Sequence, residues 1–161
     1  MVRAVLKIFL ILVILCYAQI SYAWQGYVAR VEDANTILVG NTPQAQDNLT
    51  VVRLYGIDAP VLQQPYAKEA HAFLQKLLPQ GTEVNVENTG EASDGTLTAL
   101  VQVKATSVNY QLIMEGLAWV NRSTCKALFC RRWYIQEHRA VEQGRGLWGL
   151  KLSTPPWQWG R

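Results

Sequence analysis

Arg53 and Asp58 are the residues from which chemistry can be argued. They lie five positions apart in the stretch from Thr50 to Ala70, TVVRLYGIDAPVLQQPYAKEA. Arg53 is the one cation inside an apolar run, and Asp58 sits in the turn Gly56-Ile57-Asp58-Ala59-Pro60. A guanidinium is a planar fork that matches phosphate. A carboxylate supplies oxygen to a hard cation such as Ca²⁺ or Mg²⁺. One strand and one turn that deliver both groups form a candidate site for phosphate and metal. The same spacing also reads as a surface ion pair beside a tight turn.

The elements that must hold these residues follow from local pattern. Val51, Val52, Leu54 and Tyr55 favour a strand. After Gln63-Gln64 a helix is expected from Pro65 to Leu78, with Pro65 in its first turn. Tyr66, Ala70, Phe73, Leu74, Leu77 and Leu78 share one helical face, and Pro79-Gln80-Gly81 ends it. Upstream, Trp24–Val31 and Thr36–Val39 read as a hairpin around Glu32–Asn35. Downstream, Thr82–Val86 and Thr98–Val103 read as strands, with a loop over Asn88–Gly95. Ser107 caps a short helix over Val108–Glu115, Leu117–Val120 is extended, and Arg131–Gln143 is the last helix. The order βββαββαα implies an α+β fold: a five-stranded OB-like barrel with about three appended helices.

The chain has 161 residues, 50% of them hydrophobic. That suits one core and one domain. Arg3 and Lys7 precede the uncharged apolar run Ile8–Ala18, and Ser21-Tyr22-Ala23 offers a small-x-small cleavage site. Residues 1–23 therefore read as a secretory signal peptide. The run is shorter than the roughly 20 apolar residues of a membrane span. The expected destination is secreted or periplasmic, with no stable membrane span after the signal is removed. Without those residues the balance is 13 cations against 12 acids, in place of the whole chain's net +3. That balance does not resemble the strongly cationic surface of a dedicated nucleic-acid binder, although Lys126, Arg131 and Arg132 form a local cluster. Cys16 leaves with the signal. Cys125 and Cys130 remain, a pair expected to form a disulfide in an oxidising compartment. A metal site on Cys125, Cys130 and His138 would lack a fourth ligand.

RLYGIDAP followed by QPYAKEA resembles the central motif of the staphylococcal nuclease (thermonuclease) family, R-L-x-G-I-D-A/T-P-E and then Q-P-x-G/A-x-E-A. GLAWV at Gly116–Val120, RGLWG at Arg145–Gly149 and PPWQW at Pro155–Trp159 extend the likeness across residues 24–161. The resemblance implies an OB-like barrel with three helices. It also implies Ca²⁺-dependent hydrolysis of DNA and RNA phosphodiesters. In such a site two Asp and a backbone carbonyl hold the ion, a Glu handles the attacking water, and two Arg bind phosphate.

Carried over by position, the strand Arg is Arg53, the turn Asp is Asp58, and Ala59 offers the carbonyl. The hairpin Asp of a D-G-D-T pattern is Asn35, within Asp33-Ala34-Asn35-Thr36. The water-handling Glu becomes Val61, and the second Arg of a G-R pattern becomes Thr96. The family's base-stacking Tyr falls in Arg122–Thr124, where there is none. The expectation is a monomeric, catalytically impaired module. It would bind nucleic acid through Arg53, Lys126, Arg131 and Arg132, or a protein partner through the Trp157 and Trp159 tail. A working Ca²⁺-dependent endonuclease and a purely structural or protein-interaction module are the alternatives.

Overall fold

The computed structural model describes residues 23–92, 94–150 and 153–159. The expected signal lies outside them, apart from Ala23. Nine residues, β1 (Ala23–Val31), run antiparallel to β2 (Thr36–Gly40), which pairs with β3 (Thr50–Leu54). On its other edge β1 pairs with β5 (Glu83–Glu91), and β5 with β6 (Leu97–Val103). The sheet closes through a parallel pairing of β3 with β6, in which Val52 faces Leu97, Arg53 faces Thr98 and Leu54 faces Ala99. These five strands make the expected barrel. Its interior is filled by Val28, Ile37, Val39, Val52, Val84 and Val101, β-branched side chains that pack well on a pleated surface. A short β7 (Thr106–Ser107) extends β6, and β4 (Ile57–Asp58) pairs separately with β8 (Trp119–Val120).

Three helices cover the barrel: α1 (Ala67–Leu77), α2 (Val108–Met114) and α3 (Cys130–Glu142). Among the described residues no helix is long and apolar enough to cross a membrane. Ser107 caps α2 as expected, its side chain accepting from the Tyr110 N–H at 3.3 Å.

Two boundaries differ from expectation. Helix α1 starts after Pro65, because Tyr66 is left-handed (φ 67°) and breaks the helical path there. Strand β5 runs on through residues 88–91, where a loop was expected. A bulge between Asn88 and Gly90 absorbs the polar residues: Asn88 Oδ1 accepts from the Gly90 N–H at 2.8 Å, and Thr89 Oγ1 donates to the Thr98 carbonyl at 2.7 Å.

Buried Asn109 ties β3, β6 and α2 together. Its Oδ1 accepts from the Val101 N–H at 3.0 Å, and its Nδ2 donates to the carbonyls of Tyr55 at 3.0 Å and Ala99 at 3.2 Å. The Cys125–Cys130 disulfide forms as expected. It packs on the turn at Gly56, whose positive φ of 72° suits glycine. A Cβ there would lie 2.9 Å from Cys125 Sγ.

Candidate anion and metal site

The turn that follows β3 folds Asp58 back onto Arg53. Arg53 Nη2 donates to Asp58 Oδ1 at 2.8 Å, and the Asn121 amide donates to Asp58 Oδ2 at 2.6 Å. Both carboxylate oxygens are therefore held by protein donors. Half the Arg53 side chain stays exposed, while Asp58 is largely covered. A pair this exposed adds well under about 1 kcal/mol to stability. Its effect is on orientation: the carboxylate fixes one edge of the guanidinium, and the other donors of the fork remain turned to solvent. Asn121 is itself held in place. Its Oδ1 accepts from the N–H groups of Ser123 at 2.9 Å and Thr124 at 3.2 Å. Its N–H donates to the Gly56 carbonyl at 2.9 Å.

Asn35 joins the same neighbourhood from the hairpin. Its carbonyl accepts from the Leu54 N–H at 2.8 Å, and its Nδ2 lies 3.4 Å from the Ile57 carbonyl. Asn35 Oδ1 is buried and has no partner among the described residues. A buried oxygen without a donor, beside a turn that carries a carboxylate, fits a hard cation. The set is poor in charge, however. Among the described residues no group of three His, Cys, Asp or Glu side chains could hold a metal. Asp58 would be the single anion, with Asn35 Oδ1 and the Ala59 carbonyl as neutral donors.

Val61 follows three residues after Asp58 and is 47% exposed, its N–H donating to Gln64 Oε1 at 2.7 Å. Thr96 precedes by two residues the Thr98 that faces Arg53. Its N–H donates to Asp94 Oδ1 at 2.9 Å, and that bond, with one to the Thr96 side chain, holds the Asp94 carboxyl below its ordinary range. Fold and register thus bring Asn35, Arg53 and Asp58 together and set Thr96 immediately before the neighbouring strand. Lys126 lies close to Tyr55, whose hydroxyl accepts from the Lys126 N–H at 3.4 Å, while Lys126 Nζ donates to the Arg122 carbonyl at 2.7 Å. Arg131 and Arg132 stand apart on the exposed first turn of α3, with no side-chain contact to the Arg53 neighbourhood among the described residues.

Sequence reasoning did not identify Asn121 or Glu137. Asn121 directly follows the GLAWV landmark, which was the available signal. Glu137 is buried on α3. It accepts from the Val120 N–H at 2.7 Å and from Arg122 Nη2 at 2.9 Å. This second carboxylate and guanidinium are already engaged by each other.

Burial raises the Glu137 pKa above its ordinary 4.5, against the opposing pull of the Val120 N–H and Arg122. A raised folded value means the native state holds its proton longer than the unfolded chain. The stability this group contributes is complete below 4.5 and is lost as pH climbs through the folded value. Denaturant midpoints between about pH 4 and about pH 7 should therefore fall less steeply with rising pH in Glu137→Gln than in the parent. An unchanged slope would show that Glu137 is not the titrating group.

A profile of the family described as "Staphylococcal nuclease homologue" matches residues 51–149. The chain is 31% identical over 150 residues to the micrococcal nuclease of Shigella flexneri, covering 86% of this chain and 83% of that protein. It is 30% identical over 137 residues to an uncharacterized endonuclease of Escherichia coli, with 83% of each covered. It is also 31% identical over 110 residues to the probable staphylococcal-like nuclease CAN1 of Oryza sativa subsp. japonica. The chain spans only about a third of that plant protein, 32% of its length.

Proposed function

The chain belongs to the staphylococcal nuclease family, and from that premise we propose that it is an exported module that holds nucleic acid by its phosphates and hydrolyses it poorly. The observation that carries this reading is the state of the Arg53–Asp58 pair. Asp58 has both oxygens occupied by Arg53 and Asn121, and so serves to orient the guanidinium. Arg53 presents its free edge to solvent, where a phosphate can take it. Val61 stands where the family has a Glu, and its hydrocarbon side chain can neither accept a proton nor orient water. Thr96 stands where the family has a second Arg and offers no charge to a developing phosphorane. Ca²⁺, if bound by Asn35, Asp58 and the Ala59 carbonyl, would polarise a phosphate oxygen. Export rests on the sequence of residues 1–23.

The test uses supercoiled plasmid with the purified chain, in Ca²⁺ and in chelator. The expected result is no digestion above the chelator control, together with retention of DNA that weakens as salt rises and is reduced by Arg53→Ala. Ca²⁺-dependent digestion that Arg53→Ala abolishes would instead establish a working endonuclease.

A further inference from the structure

Helix α3 turns one face to solvent. Its buried side is Cys130, Trp133, Gln136, Glu137 and Ala140. The opposite side carries Arg131, Arg132, Ile135 and Arg139, all exposed. Leu128 extends that side by one turn. The Arg131 N–H donates to the Leu128 carbonyl at 3.3 Å, and the spacing 128, 131, 132, 135 and 139 is helical. Leu128 is 84% exposed and Ile135 is 55% exposed. Leu128 stands in the loop that the Cys125–Cys130 bridge closes, and both bridge residues are buried. The loop is therefore pinned at both ends. It presents an aliphatic tip that needs little further ordering on contact.

The charge on this face is one-sided. Among the described residues, Arg131, Arg132 and Arg139 form no ion pair. Of the two acids on α3, Glu137 is buried against Arg122, and Glu142 sits in the last turn, 3.5 Å from His138. The chain from residue 24 onward is almost neutral, so three unpaired guanidiniums on one short face are a local field and not a general one.

Cations and aliphatic tips together narrow the partner. A nucleic-acid strand gives phosphates to arginines, but its bases call for aromatic faces. The rings of α3 and its loop, Phe129, Trp133 and Tyr134, pack inward against the core. What the outer face offers between its guanidiniums is hydrocarbon without rings. An anionic bilayer matches that pattern, because its phosphates lie directly above its acyl chains.

We propose that the outer face of α3 and its stapled loop dock the protein on anionic phospholipid surfaces. Arg131, Arg132 and Arg139 meet headgroup phosphates, while Leu128 and Ile135 enter the upper edge of the hydrocarbon. Arg53 takes no part, so the inference stands apart from the phosphate-binding reading of that residue. Vesicle cosedimentation at low salt tests it, using the chain from Ala23 onward, which holds every described strand and helix. One set of vesicles is phosphatidylcholine alone, and the other is equal parts phosphatidylcholine and phosphatidylglycerol. Binding to the anionic set should be at least about 10-fold stronger. Arg131→Gln with Arg132→Gln should weaken it roughly 10- to 30-fold, because each cation at such a surface is worth about five-fold. Leu128→Ser should weaken it roughly 5- to 20-fold. All three positions are exposed, and a melting curve confirms that each variant folds. Arg53→Ala should leave vesicle binding unchanged. Equal binding to the two compositions overturns the proposal, as does anionic binding that survives Leu128→Ser or the double arginine variant. Loss of vesicle binding in Arg53→Ala overturns it too, by moving the contact to the other site. DNA retention that falls with Leu128→Ser as steeply as vesicle binding does would assign this face to nucleic acid instead.

Discussion

A chain carrying Val61→Glu, Thr96→Arg and Asn35→Asp should cut DNA in Ca²⁺, whereas its parent should not. Each change restores a group that the family uses. Position 61 is 47% exposed, so a glutamate there pays no burial cost. Position 96 lies just before the strand that runs beside Arg53, which brings a second guanidinium to the same side of the barrel. The unpartnered Asn35 Oδ1 becomes a carboxylate oxygen beside Asp58. A general base contributes on the order of 10²- to 10⁴-fold in rate. One charge-stabilising donor contributes on the order of 10²- to 10³-fold. Groups that act as a unit are not additive, so single variants should show little and the triple variant most of the gain. A rise of roughly 10³-fold or more in initial nicking rate is expected, measured on supercoiled plasmid against chelator. A folded triple variant as inert as the parent would mean that the fault lies in the geometry of the turn, not in the missing groups.

The second large effect is on stability. Asn109→Leu should cost several kcal/mol, enough to shift or abolish the unfolding transition. The substitution is close in volume, so little cavity opens. It leaves the Val101 N–H and the Tyr55 carbonyl without their partner, while the Ala99 carbonyl keeps the Tyr55 N–H at 2.8 Å. Each such orphan costs roughly 1–3 kcal/mol. Domains of this size have about 5–15 kcal/mol in total. Asn88→Ala is the control, because Asn88 accepts one bond at an exposed bulge and should cost under about 1 kcal/mol. Urea titration of the three proteins measures both. Equal midpoints for Asn109→Leu and the parent would show that water replaces the amide.

These two cases mark how far the sequence could be read. The strand through Arg53, the turn at Asp58 and the cap at Ser107 were legible because short-range chemistry decides them: β-branched side chains, a Gly-initiated turn, a hydroxyl at a helix start. The five-stranded barrel followed from element order and from family resemblance. What stayed hidden was set by contacts distant in the chain. Asn109 looks like any polar residue opening a helix, and nothing near it announces that its amide spans β3 and β6. Asn121 looks like a loop residue until Asp58 is placed against it. The continuation of β5 past Asn88 was concealed because a bulge lets Asn, Thr and Gly occupy a ladder that their propensities oppose. Tyr66 departs from the helical pattern because it is left-handed, which is uncommon for tyrosine, whereas Pro65 before it is an ordinary helix opener.

Both sulfurs of the Cys125–Cys130 bridge belong to residues only 1% exposed, wedged between the Gly56 turn and α3. Thiol–disulfide exchange needs a nucleophile to reach sulfur along a direct line of attack. A small reductant therefore meets this bond only when the lobe around it opens for a moment. The speed with which a mild thiol cleaves it is then a clock for that opening, and because Cys125 follows Asn121 by one turn, the clock times the loosening of the clamp on Asp58.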